Sequence, residues 1–215
     1  MKKIISAVLL ICAVTLILTA GCIGSETQTG TATPPSTTPT TEITPAAGNE
    51  TAAQTNSSRT LIAYFSRTGN TETIAKMIAA ETGGTLFRIT TVASYPSDYT
   101  ETTEVASDEQ KNNARPELAT HVENIDQYDV IYLGYPIWWG TMPMAMFTFL
   151  EEYNFSGKTI VPFCTHGGSS FGRSITDITS LAPSATLLDG FEVRGSSAAN
   201  AGNDVKNWIA GLNLQ

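Results

Sequence analysis

The chain has 215 residues, with 12 Lys and Arg against 20 Asp and Glu and a formal net charge of −8 at pH 7. That balance, without a basic patch, argues against nucleic-acid binding and against docking on anionic lipid headgroups. Two histidines and three scattered cysteines offer no metal-ligand cluster.

Lys2 and Lys3 precede an apolar run over 4–18, interrupted by Ser6, Cys12 and Thr15. The run is shorter than the roughly 20 residues a membrane span needs and reads as an export signal over 1–21. Thr19-Ala20-Gly21 before Cys22 resembles the lipobox of prokaryotic lipoproteins, although Thr19 stands where a leucine is usual. The resemblance implies cleavage before Cys22 and lipid attachment to its sulfur; an uncleaved N-terminal helix anchor is the alternative. Either arrangement gives an exported protein anchored to the membrane on its extracytoplasmic face. Loss of Lys2 and Lys3 would take the formal charge from −8 to −10. Cys12 would leave with the signal and Cys22 would carry lipid, so Cys164 alone stays in the folded body. An internal disulfide is then ruled out despite export, and Cys164, ending an apolar strand, reads as a small buried hydrophobe.

The segment 22–59 is dominated by Thr, Ser, Pro, Ala and Gly, as in Thr33-Pro34-Pro35-Ser36-Thr37. With so few bulky apolar side chains it cannot offset the entropy of ordering, and it reads as a disordered stalk. Asn49-Glu50-Thr51 and Asn56-Ser57-Ser58 fit an N-glycosylation acceptor, a short and common pattern.

Residues 60–215 read as one domain of alternating strands and helices. Strands are expected over 61–65, 85–89, 130–134, 159–164 and 185–188, the last with a possible extension to Val193. Helices are expected over 71–81, 143–153, 171–181 and 203–212. Val205, Trp208, Ile209 and Leu212 share one face at helical spacing. Gly83-Gly84 stops the first helix and Pro143 suits a first turn. Between 90 and 127 the pattern weakens into a polar excursion, with a helix expected over 116–125. Strands apolar on both faces and separated by helices imply an α/β fold, a doubly wound five-stranded parallel sheet.

Ligands of such sheets bind beyond the carboxyl ends of the strands, and three loops converge there. Ser66, Arg67, Thr68, Gly69, Asn70 and Thr71 lie between a strand and a helix N-terminus, where unpaired N–H groups and the helix dipole favour an anion. An ordinary turn with Thr71 or Asn70 as N-cap is the competing reading. Pro136, Ile137, Trp138, Trp139 and Gly140 put two indoles at a strand end, suited to stacking on a planar ligand or to packing back on the core. Thr165, His166, Gly167, Gly168 and Ser169 form a glycine-rich third loop whose backbone can approach a ring edge closely. Gly157-Lys158-Thr159 matches the end of a nucleotide P-loop, but Glu152 stands where the first glycine belongs and a strand follows.

Together these loops resemble the flavodoxin-like family, and within it a branch related to small NAD(P)H-dependent flavin oxidoreductases. Gly134-Tyr135-Pro136-Ile137-Trp138-Trp139 fits its G-x-P-I-W-W pattern, and Thr165-His166-Gly167-Gly168-Ser169 its T-x-G-G-S pattern. The resemblance spans about 60–215 and implies strand order 2-1-3-4-5 and FMN as cofactor. It implies that residues 66–71 surround the phosphate, that 136–140 line one ring face and the redox-active edge, and that 165–169 contact the other side and the pyrimidine edge. Arg67 either adds a cation to the phosphate site or faces solvent. For His166 a flavin contact and a structural hydrogen bond are both open.

The function expected is a low-potential electron carrier, tethered to the membrane and serving an unknown redox protein or quinone. The alternative on the same scaffold is an NAD(P)H-dependent quinone or flavin oxidoreductase, which bleaching of the flavin by NADH or NADPH would reveal. A surface binding module that has lost the flavin is the reading from another class; it would be colourless and take up no FMN.

Overall fold

The structure is a computed structural model, and it describes residues 59–214. The expected signal, Cys22, both Asn-x-Ser/Thr sites and all of the 22–59 stalk except Arg59 lie outside the described residues. Among the described residues no helix is long and apolar enough to cross a membrane.

The strands are β1 (Thr60–Tyr64), β2 (Thr85–Arg88), β3 (Val130–Pro136), β4 (Thr159–His166), β5 (Thr186–Leu187) and β6 (Phe191–Arg194). All pairings are parallel, in the order β2-β1-β3-β4-β5, with β6 also beside β4. The helices are α1 (Asn70–Thr82), α2 (Tyr99–Lys111), α3 (Met144–Glu152), α4 (Ser174–Leu181) and α5 (Gly202–Gly211). This is the expected doubly wound α/β architecture, with the expected strand order.

Alternate residues feed two cores, because side chains along a strand point to opposite faces. Leu61, Ala63, Ile131, Leu133 and Tyr135 pack with Met146, Phe149 and Ile178 of α3 and α4. Ile62, Tyr64, Tyr132, Val161 and Phe163 pack with Ile74 and Ile78 of α1 and Val205 of α5. Each fully buried large side chain contributes about 1.5–3 kcal/mol, and all five residues of β1 are buried. Gly83 ends α1 in the left-handed region at φ 68°, donating to the Ala79 carbonyl. Cys164, 1 % exposed on β4, is the small buried hydrophobe expected, and burial pushes its thiol well above the ordinary range.

Two expectations need correction. The helix expected over 116–125 does not form. Leu118 instead bridges Thr91 in antiparallel fashion, with Val92 N–H on Glu117 O (2.9 Å) and Ala119 N–H on Thr90 O (2.8 Å); only a short 3-10 turn, Ile125–Gln127, follows. The excursion's helix is α2, which opens on a cap: the Asp98 carboxylate accepts from Glu101 N–H at 2.9 Å. The fifth strand is also broken into β5 and β6. Leu188 N–H donates to Ile160 O at 3.0 Å. Two residues on, Pro162 turns a carbonyl but no N–H toward the edge strand, so the ladder lapses before resuming at Phe163 and Phe191. Gly190 passes there, where a Cβ would stand 2.7 Å from Pro162 O.

Gly134 on β3 lies under the buried ring of Phe163, and an added Cβ would stand 2.1 Å from Phe163 Cζ. Gly134→Ala is expected to destabilise the domain by about 1–3 kcal/mol through overpacking, read as a lower urea midpoint at unchanged slope.

His121, in the excursion, pairs through Nδ1 with the Glu152 carboxylate of α3 at 2.6 Å. That hydrogen bond, then the carboxylate's charge, raises the His121 pKa above its ordinary value. A raised folded-state pKa gives stability that is complete below about pH 6.5, the unfolded value. It is lost as pH rises through the higher folded value. An NMR titration should place the His121 midpoint above the unfolded value, and Glu152→Gln should bring it down.

Candidate functional site

The carboxyl edge of the sheet opens into a cavity of about 700 Å³, within the range of small-molecule sites. Eleven of the residues singled out in the sequence line it: Arg67, Thr68, Asn70 and Thr71; Pro136, Ile137, Trp138 and Trp139; Thr165, His166 and Gly167. Ser66, Gly69, Gly140, Gly168 and Ser169 belong to the same three loops but do not line the cavity. Ser66 is buried, its Oγ accepting from Glu72 N–H at 3.2 Å. Gly69, at φ 91°, turns the chain into α1. The Ser169 carbonyl accepts from Gly172 N–H within the third loop.

The first turn of α1 has the form an anion site needs. Gly69 occupies the N-cap position with no side-chain cap, so the reading of Thr71 or Asn70 as an ordinary cap is not realised. The first intrahelical bond runs from Thr73 N–H to Gly69 O at 2.9 Å, which leaves the Asn70 and Thr71 N–H groups ahead of the ladder. Thr71 is buried, and its hydroxyl meets that of Thr165 at 2.9 Å, joining the first loop to β4.

Of the two indoles, one packs back on the core and the other stands at the surface. Trp138 packs edge-on against Phe65 and Tyr95, with centroids 5.5 and 5.1 Å away. Trp139 is 60 % exposed at the cavity mouth, and its Nε1–H donates to the Thr103 carbonyl at 2.9 Å. Trp139 (φ 48°) and Gly140 (φ 81°) form a tight left-handed turn, closed by Trp138 N–H on Thr141 O at 2.7 Å. For a bulky residue that conformation costs about 1–3 kcal/mol. The Gly140 carbonyl accepts from Arg173 N–H at 2.9 Å, so the second loop is fastened to the third.

Arg67 is not a free surface cation. Its Nη2 donates to the carbonyls of Ser97 (2.6 Å) and Pro96 (3.3 Å), bracing the entry to α2. His166 turns to β6, where its Nε2 pairs with the Glu192 carboxylate. Among the described residues two buried side-chain polar atoms lack a hydrogen-bond partner, Arg67 Nε and His166 Nδ1. Both belong to residues on this wall. Buried polar groups are nearly always paired, which makes these two atoms exceptions at the edge of the cavity wall.

Two parts of the wall were not legible in the sequence. Tyr99, Thr102, Thr103 and Ala106 of α2 line the cavity, as do Arg194 at the end of β6 and Gly195 and Ser196 after it. The capping pair Asp98 and Glu101 was the signal for α2. Tyr95, ahead of α2, donates its hydroxyl to the Glu109 carboxylate at 2.8 Å. Burial raises the Tyr95 pKa, and burial also raises that of Glu109, partly countered by the Tyr95 bond.

The comparisons agree with this geometry. Residues 59–212 match the profile of the family described as flavodoxin. A protein from Bacteroides eggerthii, designated a candidate flavoprotein, is 33 % identical over 74 % of this chain and 99 % of its own, with a TM-score of 0.64. A second candidate flavoprotein, from Bacteroides uniformis, is 34 % identical over 71 % of this chain and 98 % of its own, also at 0.64. A Lactobacillus acidophilus flavoprotein solved in complex with FMN shares the fold, at 22 % identity and a TM-score of 0.56 over 66 % of this chain and 97 % of its own. No curated protein matches the chain. With its profile match, its parallel order and its converging loops, the chain belongs to the flavodoxin family.

Proposed function

We propose that the chain binds FMN at the carboxyl edge of the sheet and works as an electron carrier, held by a lipidated Cys22 on the outer face of a membrane. The observation that carries the cofactor reading is the start of α1, where the Asn70 and Thr71 N–H groups stand ahead of the helical ladder on a cavity lined also by Pro136, Ile137, Trp138 and Trp139. The family and the FMN complex of the Lactobacillus acidophilus relative support the same reading. FMN supplies one- and two-electron redox chemistry; the protein supplies position and electrostatics.

The chain's own residues have clear tasks. The Asn70 and Thr71 N–H groups and the Thr68 hydroxyl are placed to hold the phosphate. Thr71 and Thr165 share one hydroxyl proton between them, which leaves the other to donate. Pro136, Ile137 and the two indoles present an apolar wall to a flat ring. Trp139, fixed to Thr103, sets how far water and partners reach the mouth.

The tether rests on the first 22 residues: the basic start, the apolar run and the small residues before Cys22. The partner is a redox protein or a membrane quinone reached by that tether.

The purified full chain is expected to be yellow and to retain FMN with a dissociation constant below ~1 μM, measured by absorption and flavin fluorescence. Dithionite should bleach it, while NADH and NADPH should not do so in stopped flow; rapid bleaching by either would make the chain a reductase. A colourless protein that takes up no FMN would remove the cofactor reading altogether. The tether has its own check: the full chain should partition into detergent phase and incorporate labelled lipid, and Cys22→Ala should abolish both.

A further inference from the structure

No motif marks Arg194, Gly195 and Ser196, yet all three line the cavity. The parallel register sets Arg194 beside His166, which carries it to the same edge as the three loops. Its Nη1 donates to the Gly167 carbonyl at 3.0 Å and lies 3.1 Å from where a Cβ on Gly168 would stand. At Gly195 an added Cβ would stand 2.8 Å from Asn70 Nδ2. The segment therefore reaches from the third loop to the first turn of α1.

Charge separates Arg194 and Arg67 from the other arginines. Arg59, Arg88, Arg115 and Arg173 each pair with a carboxylate. The hydrogen bonds of Arg67 and Arg194 go to backbone carbonyls, which satisfy donors without cancelling charge. Among the described residues that line the cavity none is Asp or Glu, although the chain as a whole carries −8. Two guanidinium groups without counter-ions on one cavity select an anion, and a forked donor suits phosphate oxygens.

We propose that Arg194, assisted by the Ser196 hydroxyl, holds the cofactor's phosphate from the β6 side, next to the start of α1, and so makes the site specific for the phosphorylated flavin. This rests on the FMN reading above. Arg194 is exposed, so its replacement leaves the core untouched.

The test uses the full chain, stripped of flavin and titrated separately with FMN and riboflavin by fluorescence quenching. Arg194→Gln should weaken FMN about 10- to 100-fold, the range for a charged hydrogen bond, and leave riboflavin within about twofold. Arg194→Lys should recover part of the loss, and Ser196→Ala should show a smaller loss in the same direction. Added NaCl should weaken FMN binding less steeply in Arg194→Gln than in the unaltered chain. Equal weakening of both flavins would reduce Arg194 to a brace for the third loop and overturn the proposal. So would FMN binding that Arg194→Gln leaves unchanged; in both cases the FMN reading itself survives. Failure of the unaltered chain to bind either flavin would sink both together.

Discussion

A parallel ladder sends every carboxyl strand end to the same edge, and in a sheet covered on both faces that edge is where ligands meet polar backbone. In this domain the constraint is enforced by burial. β1 is buried along its whole length, with Leu61 and Ala63 on one core and Ile62 and Tyr64 on the other. Shifting its register by one residue would exchange the two sets, so the register is pinned from both sides. The start of α1, the hairpin turn at Trp139 and the third loop owe their proximity to that pinning rather than to any attraction among themselves.

Once brought together, the loops are locked by short polar ties. Thr71 joins Thr165, Arg173 N–H holds the Gly140 carbonyl, Trp139 reaches Thr103, and Arg67 spans to Pro96 and Ser97. Gly172 lets the second and third loops touch; a Cβ there would fall 2.2 Å from Gly140 O. Ties of this kind lower the ordering cost of binding, because donors are aimed before a ligand arrives. The strained backbone of Trp139 fits the same pattern, since an unfavourable conformation persists only where its surroundings over-determine it.

What the sequence made readable was what hydrophobic periodicity and punctuation encode. The buried runs at 61–65 and 130–134 and the stop at Gly83 translate directly into β1, β3 and the end of α1. The α2 helix was hidden because its buried face is built from Thr102 and Ala106, residues too small and too polar to register as an apolar stripe. The helix expected over 116–125 gives way because Leu118 is spent on an antiparallel bridge to Thr91. Pro162 gave warning of the broken edge strand only in hindsight, since which neighbour its missing N–H faces depends on the assembled sheet. Arg194 had no local signal at all. Its place follows from the pairing of two strands separated by some two dozen residues, a relation that local pattern does not contain.

The single cysteine of the domain bears on where the protein can fold. Cys164 sits at full burial between β3 and β6, its thiol held protonated by the apolar surroundings. Thiolate is the species that oxidants and mixed disulfides require, so this sulfur is chemically silent in the native state. The domain needs no oxidase, isomerase or particular glutathione poise to reach its structure. Once folded, the domain keeps the same covalent chemistry on either side of a redox boundary.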